Sequence, residues 1–292
     1  MSIFNGCGTA IITPFQKNGN VDEPTLKKLV RRQIEAGIHF LVPCGTTGES
    51  PTLTREEHLR VIEITVAEAK GEVPVLAGAG GYNTAEVIEL SKAVEALGVD
   101  GLLSVTPYYN RPTQEGLFQH YRAIAKAVKL PIMIYSVKGR TGVNVEPSTL
   151  ARLAEIKNIV GVKEASGDIA QMARVVQEVP EEFDVLSGDD SSTIPLMALG
   201  GKGIISVAGN QIPGEMANLA EACLNQDFGT ARAIQRRFLP LMEVNFIESN
   251  PIPVKAMMAE MGLCKAVWRL PLVAPSEASM VRIRAVLKQV GI

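Results

Sequence analysis

A lysine at the end of a short apolar segment is the residue of this sequence whose position best suits covalent chemistry. The segment, Ile159–Lys163, contains three β-branched residues and is typical of a strand buried on both faces. Because desolvating an ammonium is costly, a buried lysine tends to lose its proton, and the neutral amine attacks carbonyl carbons. Lys163 is therefore a candidate Schiff-base lysine. The alternative is a surface lysine just beyond a strand end, paired with Glu164.

Three of the five tyrosines follow two other apolar segments: Tyr108 and Tyr109 come after one, and Tyr135 lies at the end of the next. A phenol can both donate and accept a proton, which suits a proton relay. Arg140 follows shortly after Tyr135, between two glycines, and its guanidinium could hold a carboxylate through two hydrogen bonds. Each of these residues also has a structural explanation, as a core tyrosine or a solvated loop arginine.

The turn Gly45–Ser50 follows the second apolar segment and consists mainly of small and polar residues. Its consecutive N–H groups could bind a carboxylate, and the hydroxyl of Thr46 or Thr47 could pass a proton. An ordinary polar turn is the alternative.

Paired carboxylates offer a different chemistry, since a glycosidase would also need acids at strand ends. The acids in such positions are Glu49, Glu164, Asp189 and Asp190. This interpretation leaves the tyrosines and Arg140 without roles, so we rank it below the lysine chemistry.

Apolar segments that alternate with longer amphipathic segments predict the elements that position these residues. Eight strands, each followed by a helix, indicate a (β/α)8 TIM barrel, whose active site lies at the C-terminal ends of the strands. An open doubly wound sheet is the competitor, but no Gly-x-Gly-x-x-Gly turn follows the first strand. The predicted strands are Gly8–Ile12, His39–Pro43, Val73–Gly78, Gly101–Thr106, Pro131–Ser136, Ile159–Lys163, Asp184–Gly188 and Gly203–Val207.

The sequence also predicts where two of the helices begin. Thr54 and Glu57 form a capping-box pattern, and Asp168 is placed to open a helix. After Val207 the sequence predicts helices without strands between them. We therefore expect a single domain over 1–292, with the barrel at 1–225 and a C-terminal helical extension at 226–292.

Composition excludes several other functions. The 292 residues carry a net charge of −2 with no basic stripe, so nucleic acid is not an expected partner. Four separated cysteines and three histidines offer no zinc-ligand spacing, and free thiols suit a reducing compartment. No signal peptide and no apolar segment of about 20 residues is evident, so we expect a cytoplasmic protein that does not span a membrane.

Taken together in this order, the motifs resemble the pyruvate-dependent class I lyases of the dihydrodipicolinate synthase (4-hydroxy-tetrahydrodipicolinate synthase) family, which also includes N-acetylneuraminate lyase. The resemblance runs from about Ile3 to the C-terminus. The motifs that carry it are Gly45–Ser50, Val105–Tyr109, Tyr135 with Gly139–Gly142, Gly161–Ser166, Leu186–Asp189, Gly203–Ser206 and Asn250–Lys255.

The resemblance implies a lyase that condenses pyruvate with L-aspartate 4-semialdehyde in lysine (diaminopimelate) biosynthesis. Lys163 would form an imine with pyruvate, and the derived enamine would add to the aldehyde before the product cyclises. No metal or organic cofactor is implied, because the imine itself is the electron sink. The family also implies a homotetramer, a dimer of dimers.

Further site residues are implied by the same resemblance. Thr46, Tyr135 and Tyr109 match the family's proton relay, and the tyrosine matching Tyr109 enters from the neighbouring subunit. Thr47 matches the pyruvate carboxylate site, and Arg140 matches the residue that binds the semialdehyde carboxylate. The pyruvate pocket would be lined through backbone atoms by Gly188 and Ile205.

Two departures from the family pattern concern specificity and regulation. Ser136–Lys138 stands where the family usually has Asn-Val-Pro, next to the arginine that selects the acceptor. His58, Glu86 and Tyr108 match an allosteric lysine site, but Tyr82 occupies a position usually held by asparagine. Arg55 replaces an expected histidine, so the sequence predicts weak or absent inhibition by lysine.

Two alternatives stay open at this stage. One is another pyruvate-dependent aldolase, of the keto-deoxy sugar acid or hydroxy-oxoglutarate type, with the same imine chemistry. The other is a non-catalytic barrel used for ligand binding, which would require the loss of the lysine or the tyrosine.

Overall fold

The computed structural model describes residues 3–292, in which eight short parallel strands alternate with helices. The strands are β1 (Gly6–Ala10), β2 (Phe40–Val42), β3 (Leu76–Gly78), β4 (Gly101–Val105), β5 (Ile132–Ser136), β6 (Ile159–Glu164), β7 (Asp184–Ser187) and β8 (Gly203–Ser206). They pair in the order β2-β1-β8-β7-β6-β5-β4-β3, and a parallel bridge from Leu41 to Val75 joins the two ends. The predicted (β/α)8 barrel is confirmed, and the open doubly wound sheet is wrong.

Helices follow every strand and continue after the last one. They are α1 (Glu23–Glu35), α2 (Arg55–Ala69), α3 (Thr84–Glu95), α4 (Gln114–Ala127), α5 (Lys138–Thr141), α6 (Pro147–Ala154), α7 (Ile169–Glu178), α8 (Thr193–Ala198), α9 (Pro213–Leu224), α10 (Phe228–Val244), α11 (Ile252–Glu260) and α12 (Glu277–Val290). No helix within residues 3–292 is both long and apolar enough to cross a membrane.

The predicted helix starts at Thr54 and Asp168 are confirmed. The Thr54 hydroxyl accepts a hydrogen bond from the Glu57 N–H at 3.2 Å, and the Glu57 carboxylate accepts one from the Thr54 N–H at 3.0 Å. Asp168 accepts hydrogen bonds from two N–H groups in the first turn of α7. These caps fix where α2 and α7 begin, just beyond the loops that follow β2 and β6.

Buried apolar side chains form two groups, one inside the barrel and one between the strands and the helices. Leu103, Met133, Tyr135 and Ile205 belong to the inner group. Val162 belongs to the outer group. Because side chains alternate across a strand, Lys163 points into the barrel while Val162 points towards the helices.

A buried ion pair attaches the C-terminal helices to the barrel. Lys255 in α11 places its Nζ 2.5 Å from the Glu49 carboxylate, and both side chains are fully buried. The same Nζ lies 4.2 Å from the centroid of the Phe15 ring. Burial lowers the pKa of Lys255, and Glu49 opposes that shift. Each charge is therefore compensated chiefly by the other.

Replacing Lys255 by methionine is expected to lower the free energy of unfolding by roughly 3–5 kcal/mol, because Glu49 would stay buried without its partner. Urea unfolding followed by circular dichroism measures this loss. The double variant Lys255→Met, Glu49→Gln should regain much of it, since no unpaired charge remains. Lys92→Met, which breaks an exposed pair with Glu89, is the control and should cost less than about 1 kcal/mol. A similarly small loss in Lys255→Met would contradict the prediction.

Candidate active site

Lys163 lies near the C-terminal end of β6 and is almost completely buried, with 5% of its surface exposed. It is paired in register with Tyr135 of the adjacent β5, and its Nζ lies 4.2 Å from the centroid of that tyrosine ring. Glu164 points the other way, where its carboxylate accepts hydrogen bonds from the Ser166 N–H and the Gln171 side chain. The alternative of a surface lysine paired with Glu164 therefore does not hold.

The surroundings of Lys163 favour its neutral form. Burial lowers the pKa of Lys163 from its ordinary value of 10.5 to about 7. The Arg140 guanidinium acts in the same direction on this pKa, whereas the carboxylates of Asp189 and Asp190 oppose it. About half of the amine is therefore unprotonated near neutral pH, where a free lysine would be almost entirely charged. This is the state that a nucleophile requires.

Tyr135 combines burial with a hydrogen-bonding partner. Burial raises the pKa of Tyr135, while the nearby Arg140 and a side-chain hydrogen bond with Thr46 act in the opposite direction. Its phenol therefore keeps a proton at neutral pH and can donate it to a group beside Lys163. The structure thus brings Thr46, Tyr135 and Lys163 together, as the sequence predicts.

Thr47 is buried in the turn that follows β2. Backbone hydrogen bonds from Gly48 to Gly45 and from Glu49 to Thr46, each 3.1 Å long, close this turn. The Thr47 hydroxyl accepts a hydrogen bond from the side-chain amide of Asn250 at 2.9 Å. A fixed hydroxyl beside tightly turned backbone suits the predicted carboxylate site.

Arg140 lies in the short helix α5, which the sequence did not predict. The turn is closed by hydrogen bonds from the Arg140 and Thr141 N–H groups to the Val137 carbonyl. Lys138 takes the usual place of proline without opening this turn, and the Ser136 hydroxyl accepts a hydrogen bond from the Val145 N–H. The Arg140 guanidinium donates to the Asn250 carbonyl at 3.1 Å. Together with Thr46 and Tyr135, Arg140 lines a cavity of about 530 Å³.

Gly188 lies just beyond β7, the strand next to β6, and Ile205 lies in β8, one strand further. A Cβ on Gly188 would lie 2.6 Å from the Ala165 Cβ and 3.3 Å from the Lys163 Cε, so a larger residue would crowd the lysine. Ile205 is fully buried in the inner group of the barrel, together with Tyr135. The role of Gly188 and Ile205 in lining a pyruvate pocket stays a prediction.

Tyr109 does not join this group within the chain. Its side chain is 93% exposed, and its backbone has a φ of 67°, a conformation that costs free energy for a non-glycine residue. Tyr108, by contrast, lines the cavity. A relay that includes Tyr109 would need a second copy of the chain.

The candidate lysine-site residues lie on the same cavity as Thr46 and Tyr135. His58, Glu86 and Tyr108 line it, and so does Arg55. Tyr82 is half-exposed and packs edge-to-face against Tyr108, with 5.1 Å between ring centroids.

Arg55 adds a positively charged side chain to the part of the cavity that Glu86 also lines. The Arg55 guanidinium donates to the Glu89 carbonyl at 3.2 Å. Burial lowers the pKa of His58, and Arg55 acts in the same direction, so this histidine is neutral.

The acids proposed for glycosidase chemistry have other partners. Glu49 pairs with Lys255, and Glu164 points away from the barrel interior. Asp190 accepts hydrogen bonds from the Ser206 hydroxyl at 2.5 Å and from the Val207 and Ala208 N–H groups. Burial raises the pKa of Asp190 to about 6. Asp189 accepts hydrogen bonds from the Ser191 N–H and hydroxyl. Each of the four acids therefore has a partner other than a second acid, so the glycosidase interpretation has no catalytic pair.

Reasoning from the residues alone missed Asn250 and the electrostatic role of Asp190. Asn250–Lys255 is among the motifs that carry the family resemblance, but nothing in its spacing indicates contact with residues 47 and 49. Asp190 was recognised only as one acid of a pair. The signal available for it was the Asp-Asp dipeptide at a predicted strand end.

Comparisons with known proteins agree with the fold. Residues 3–290 match the model of the dihydrodipicolinate synthetase family. The 4-hydroxy-tetrahydrodipicolinate synthase of Geotalea uraniireducens is 52% identical over 290 residues, which cover 99% of this chain and 100% of that protein. The one from Koribacter versatilis is 51% identical over 288 residues, covering 98% of this chain and 96% of that protein.

Solved structures give the same result. The crystal structure of the chloride-inhibited dihydrodipicolinate synthase from Acinetobacter baumannii, complexed with pyruvate, superposes with a TM-score of 0.98 at 45% identity and covers 100% of both chains. The dihydrodipicolinate synthase of Aquifex aeolicus has a TM-score of 0.97 at 45% identity, covering 99% of this chain and 98% of that one. By sequence and by structure, the chain belongs to the dihydrodipicolinate synthetase family.

Proposed function

We propose that this protein is a 4-hydroxy-tetrahydrodipicolinate synthase, a Schiff-base lyase that condenses pyruvate with L-aspartate 4-semialdehyde in lysine biosynthesis. The observation that carries the proposal is the buried Lys163 amine, with a pKa of about 7, against the ring of Tyr135, which lines a cavity together with Arg140. The full-length similarity to synthases that are about half identical supports it.

The first half of the reaction forms an enamine. The neutral Lys163 amine attacks the ketone carbon of pyruvate, and loss of water gives a protonated imine. Tyr135, hydrogen-bonded to Thr46, supplies the proton that the departing oxygen needs. The Thr47 hydroxyl and nearby N–H groups hold the pyruvate carboxylate. The Tyr135 phenolate left by this step then takes a proton from the pyruvate methyl group, and the imine accepts the electron pair, which gives the enamine.

The second half joins the two substrates. Arg140 binds the carboxylate of the semialdehyde, which orients its aldehyde towards the enamine carbon. A carbon–carbon bond forms, and the aldehyde oxygen takes a proton from the relay. The substrate's amino group then attacks the imine carbon, which closes the ring and releases Lys163. Gly188 and Ile205 leave room for pyruvate beside the lysine.

The second candidate is another pyruvate-dependent aldolase, which shares the imine but takes a different aldehyde. The replacement at Ser136–Lys138 is the feature that favours it. Against it, Arg140 is held by a closed backbone turn and by the Asn250 carbonyl despite the replacement. The semialdehyde therefore remains our first choice of acceptor.

We propose a homotetramer, a dimer of dimers, in which Tyr109 completes the relay of a neighbouring copy. The support is its exposed side chain on a loop tied down by a 3.1 Å hydrogen bond from Asn110 to the Tyr82 carbonyl. Sedimentation velocity that finds a fully active monomer would contradict this.

We also propose that the barrel ends at residue 225, so that residues 226–292 form the extension. Independent folding of residues 226–292 alone would argue against that division.

We place the protein in the cytoplasm, where free thiols persist. All four cysteines are free thiols in the described chain. Fractionation of the source cells that recovers the protein outside the cytoplasm would refute this location.

Turnover of pyruvate with L-aspartate 4-semialdehyde, coupled to the next reductase, is expected in the native protein and absent in Lys163→Ala. Borohydride with pyruvate should add mass to the native protein and not to this variant. Lys157→Ala is the matched control, because Lys157 is an exposed lysine before the opposite end of β6, and it should remain fully active.

Two outcomes would change the assignment. Trapping on Lys163 without turnover of the semialdehyde would favour the alternative aldolase. Absence of both would refute the imine chemistry.

The rate of pyruvate trapping is expected to rise with pH through an inflection near 7 and to level off above it, because only the neutral Lys163 amine reacts. Arg140 lowers this pKa, so Arg140→Met should move the inflection to higher pH. Trapping needs no semialdehyde, so the loss of acceptor binding does not interfere. An inflection that stays in place, or moves to lower pH, would contradict the electrostatic account.

Lysine is expected to inhibit weakly or not at all, because the Arg55 guanidinium lines the cavity at His58, Glu86 and Tyr108 and repels a cationic ligand. Initial rates at increasing lysine concentration test this. Arg55→His, which removes the fixed charge, should be more sensitive than the native protein. Inhibition of the native protein at micromolar lysine would refute the proposal.

A further inference from the structure

Asn250 connects the C-terminal extension to both carboxylate-binding groups of the site. It lies just before α11 and is buried. Its side-chain amide donates to the Thr47 hydroxyl at 2.9 Å, and its backbone carbonyl accepts from the Arg140 guanidinium at 3.1 Å. One residue therefore contacts the groups that take pyruvate and the semialdehyde.

The direction of the bond to Thr47 determines what that hydroxyl can do. A hydroxyl has one proton to donate and two lone pairs that accept. Since the Asn250 amide donates to the oxygen, the Thr47 proton is free to point elsewhere. Among the hydrogen bonds of residues 3–292, none is donated by the Thr47 hydroxyl.

In the opposite orientation of the amide, the Thr47 hydroxyl would donate its proton to Asn250. If the Asn250 side-chain oxygen faced Thr47, it would accept the hydroxyl proton and leave only oxygen lone pairs towards the substrate. In the observed orientation this side-chain oxygen is buried without a hydrogen-bond partner among residues 3–292.

The next residues of the same segment hold the other side of the turn. Lys255 pairs with Glu49, two residues after Thr47, and Glu49 has a left-handed backbone conformation with a φ of 53°. The turn is thus fixed at Thr47 by a hydrogen bond and at Glu49 by an ion pair. Both contacts come from Asn250–Lys255.

We infer that Asn250 is a positioning residue that directs the Thr47 hydroxyl proton towards the carboxylate of pyruvate. The inference rests on the proposed function, because it requires pyruvate to occupy this site. Removing the Asn250 side chain leaves the backbone carbonyl, and with it the contact to Arg140. The effect should therefore fall on pyruvate and not on the semialdehyde.

Pyruvate trapping by borohydride, measured against pyruvate concentration, tests the inference without the second substrate. Asn250→Ala is expected to raise the half-saturating pyruvate concentration roughly 10-fold, the effect of losing one hydrogen bond to a charged group. The maximal trapping rate and the KM for the semialdehyde should stay nearly unchanged. Asn250→Asp should raise the half-saturating concentration further, because it accepts the Thr47 proton and adds a negative charge near the carboxylate.

A double-mutant cycle with Thr47→Val distinguishes positioning of the Thr47 hydroxyl by Asn250 from a general loss of order in the site. Without the hydroxyl, Asn250 has nothing to orient, so adding Asn250→Ala to Thr47→Val should change pyruvate binding less than about 2-fold. Thr47→Ser, which keeps the hydroxyl, should retain the sensitivity to Asn250→Ala.

Asn245→Ala is the matched control. Asn245 is a buried asparagine of the same extension, which accepts a hydrogen bond from Gln211 outside the site. Its removal should leave pyruvate binding unchanged. If Asn250→Ala does not fold, Asn250→Ser replaces it.

Unchanged pyruvate binding in Asn250→Ala, or an equal loss in the Thr47→Val background, would overturn the role of Asn250 while leaving the proposed function intact. A native protein that traps no pyruvate would overturn both.

Discussion

The site depends on the removal of water from one amine. Lys163 stands inside a closed ring of strands, where β5 and β7 flank it and the inner apolar group packs around it. The free energy needed to desolvate an ammonium is what brings its pKa to about 7. The closed barrel is therefore part of the chemistry, since an open sheet would leave that strand end in contact with water.

The surrounding charges limit how far desolvation lowers the pKa of Lys163. Asp189 and Asp190 raise the lysine pKa, whereas Arg140 lowers it, so the amine is neither permanently charged nor too weakly basic to hold a proton. Asp190 is itself held by Ser206 and two backbone N–H groups, with a pKa raised to about 6 by burial. The balance is thus set by Arg140, which follows β5, and by groups at the ends of β7 and β8, not by Glu164, the neighbour of Lys163 in the sequence.

Sequence patterns predict well whatever depends on local chemistry. β-branched segments located all eight strands to within a few residues, and the caps at Thr54 and Asp168 were read correctly because a cap is a contact between near neighbours. The short helix α5 escaped, because one turn leaves little periodicity to detect. The contact of Asn250 with Thr47 escaped because it joins residues 203 positions apart, a distance that only the completed fold determines.

The long sequence separation between β6 and the segment Asn250–Lys255 also determines when the site can form. The strand that carries Lys163 is synthesised well before the segment that fixes Thr47 and Glu49, and β8 must close against β1 in the meantime. A nascent chain that has just passed β8 contains Lys163 but lacks the hydrogen bond and the ion pair that fix the turn at Thr47 and Glu49. Contacts of such long range are formed late in folding, because closing long loops costs entropy. The turn at Thr47 and Glu49 is thus fixed only when almost the whole polypeptide has been made, and a product truncated before residue 250 lacks both contacts.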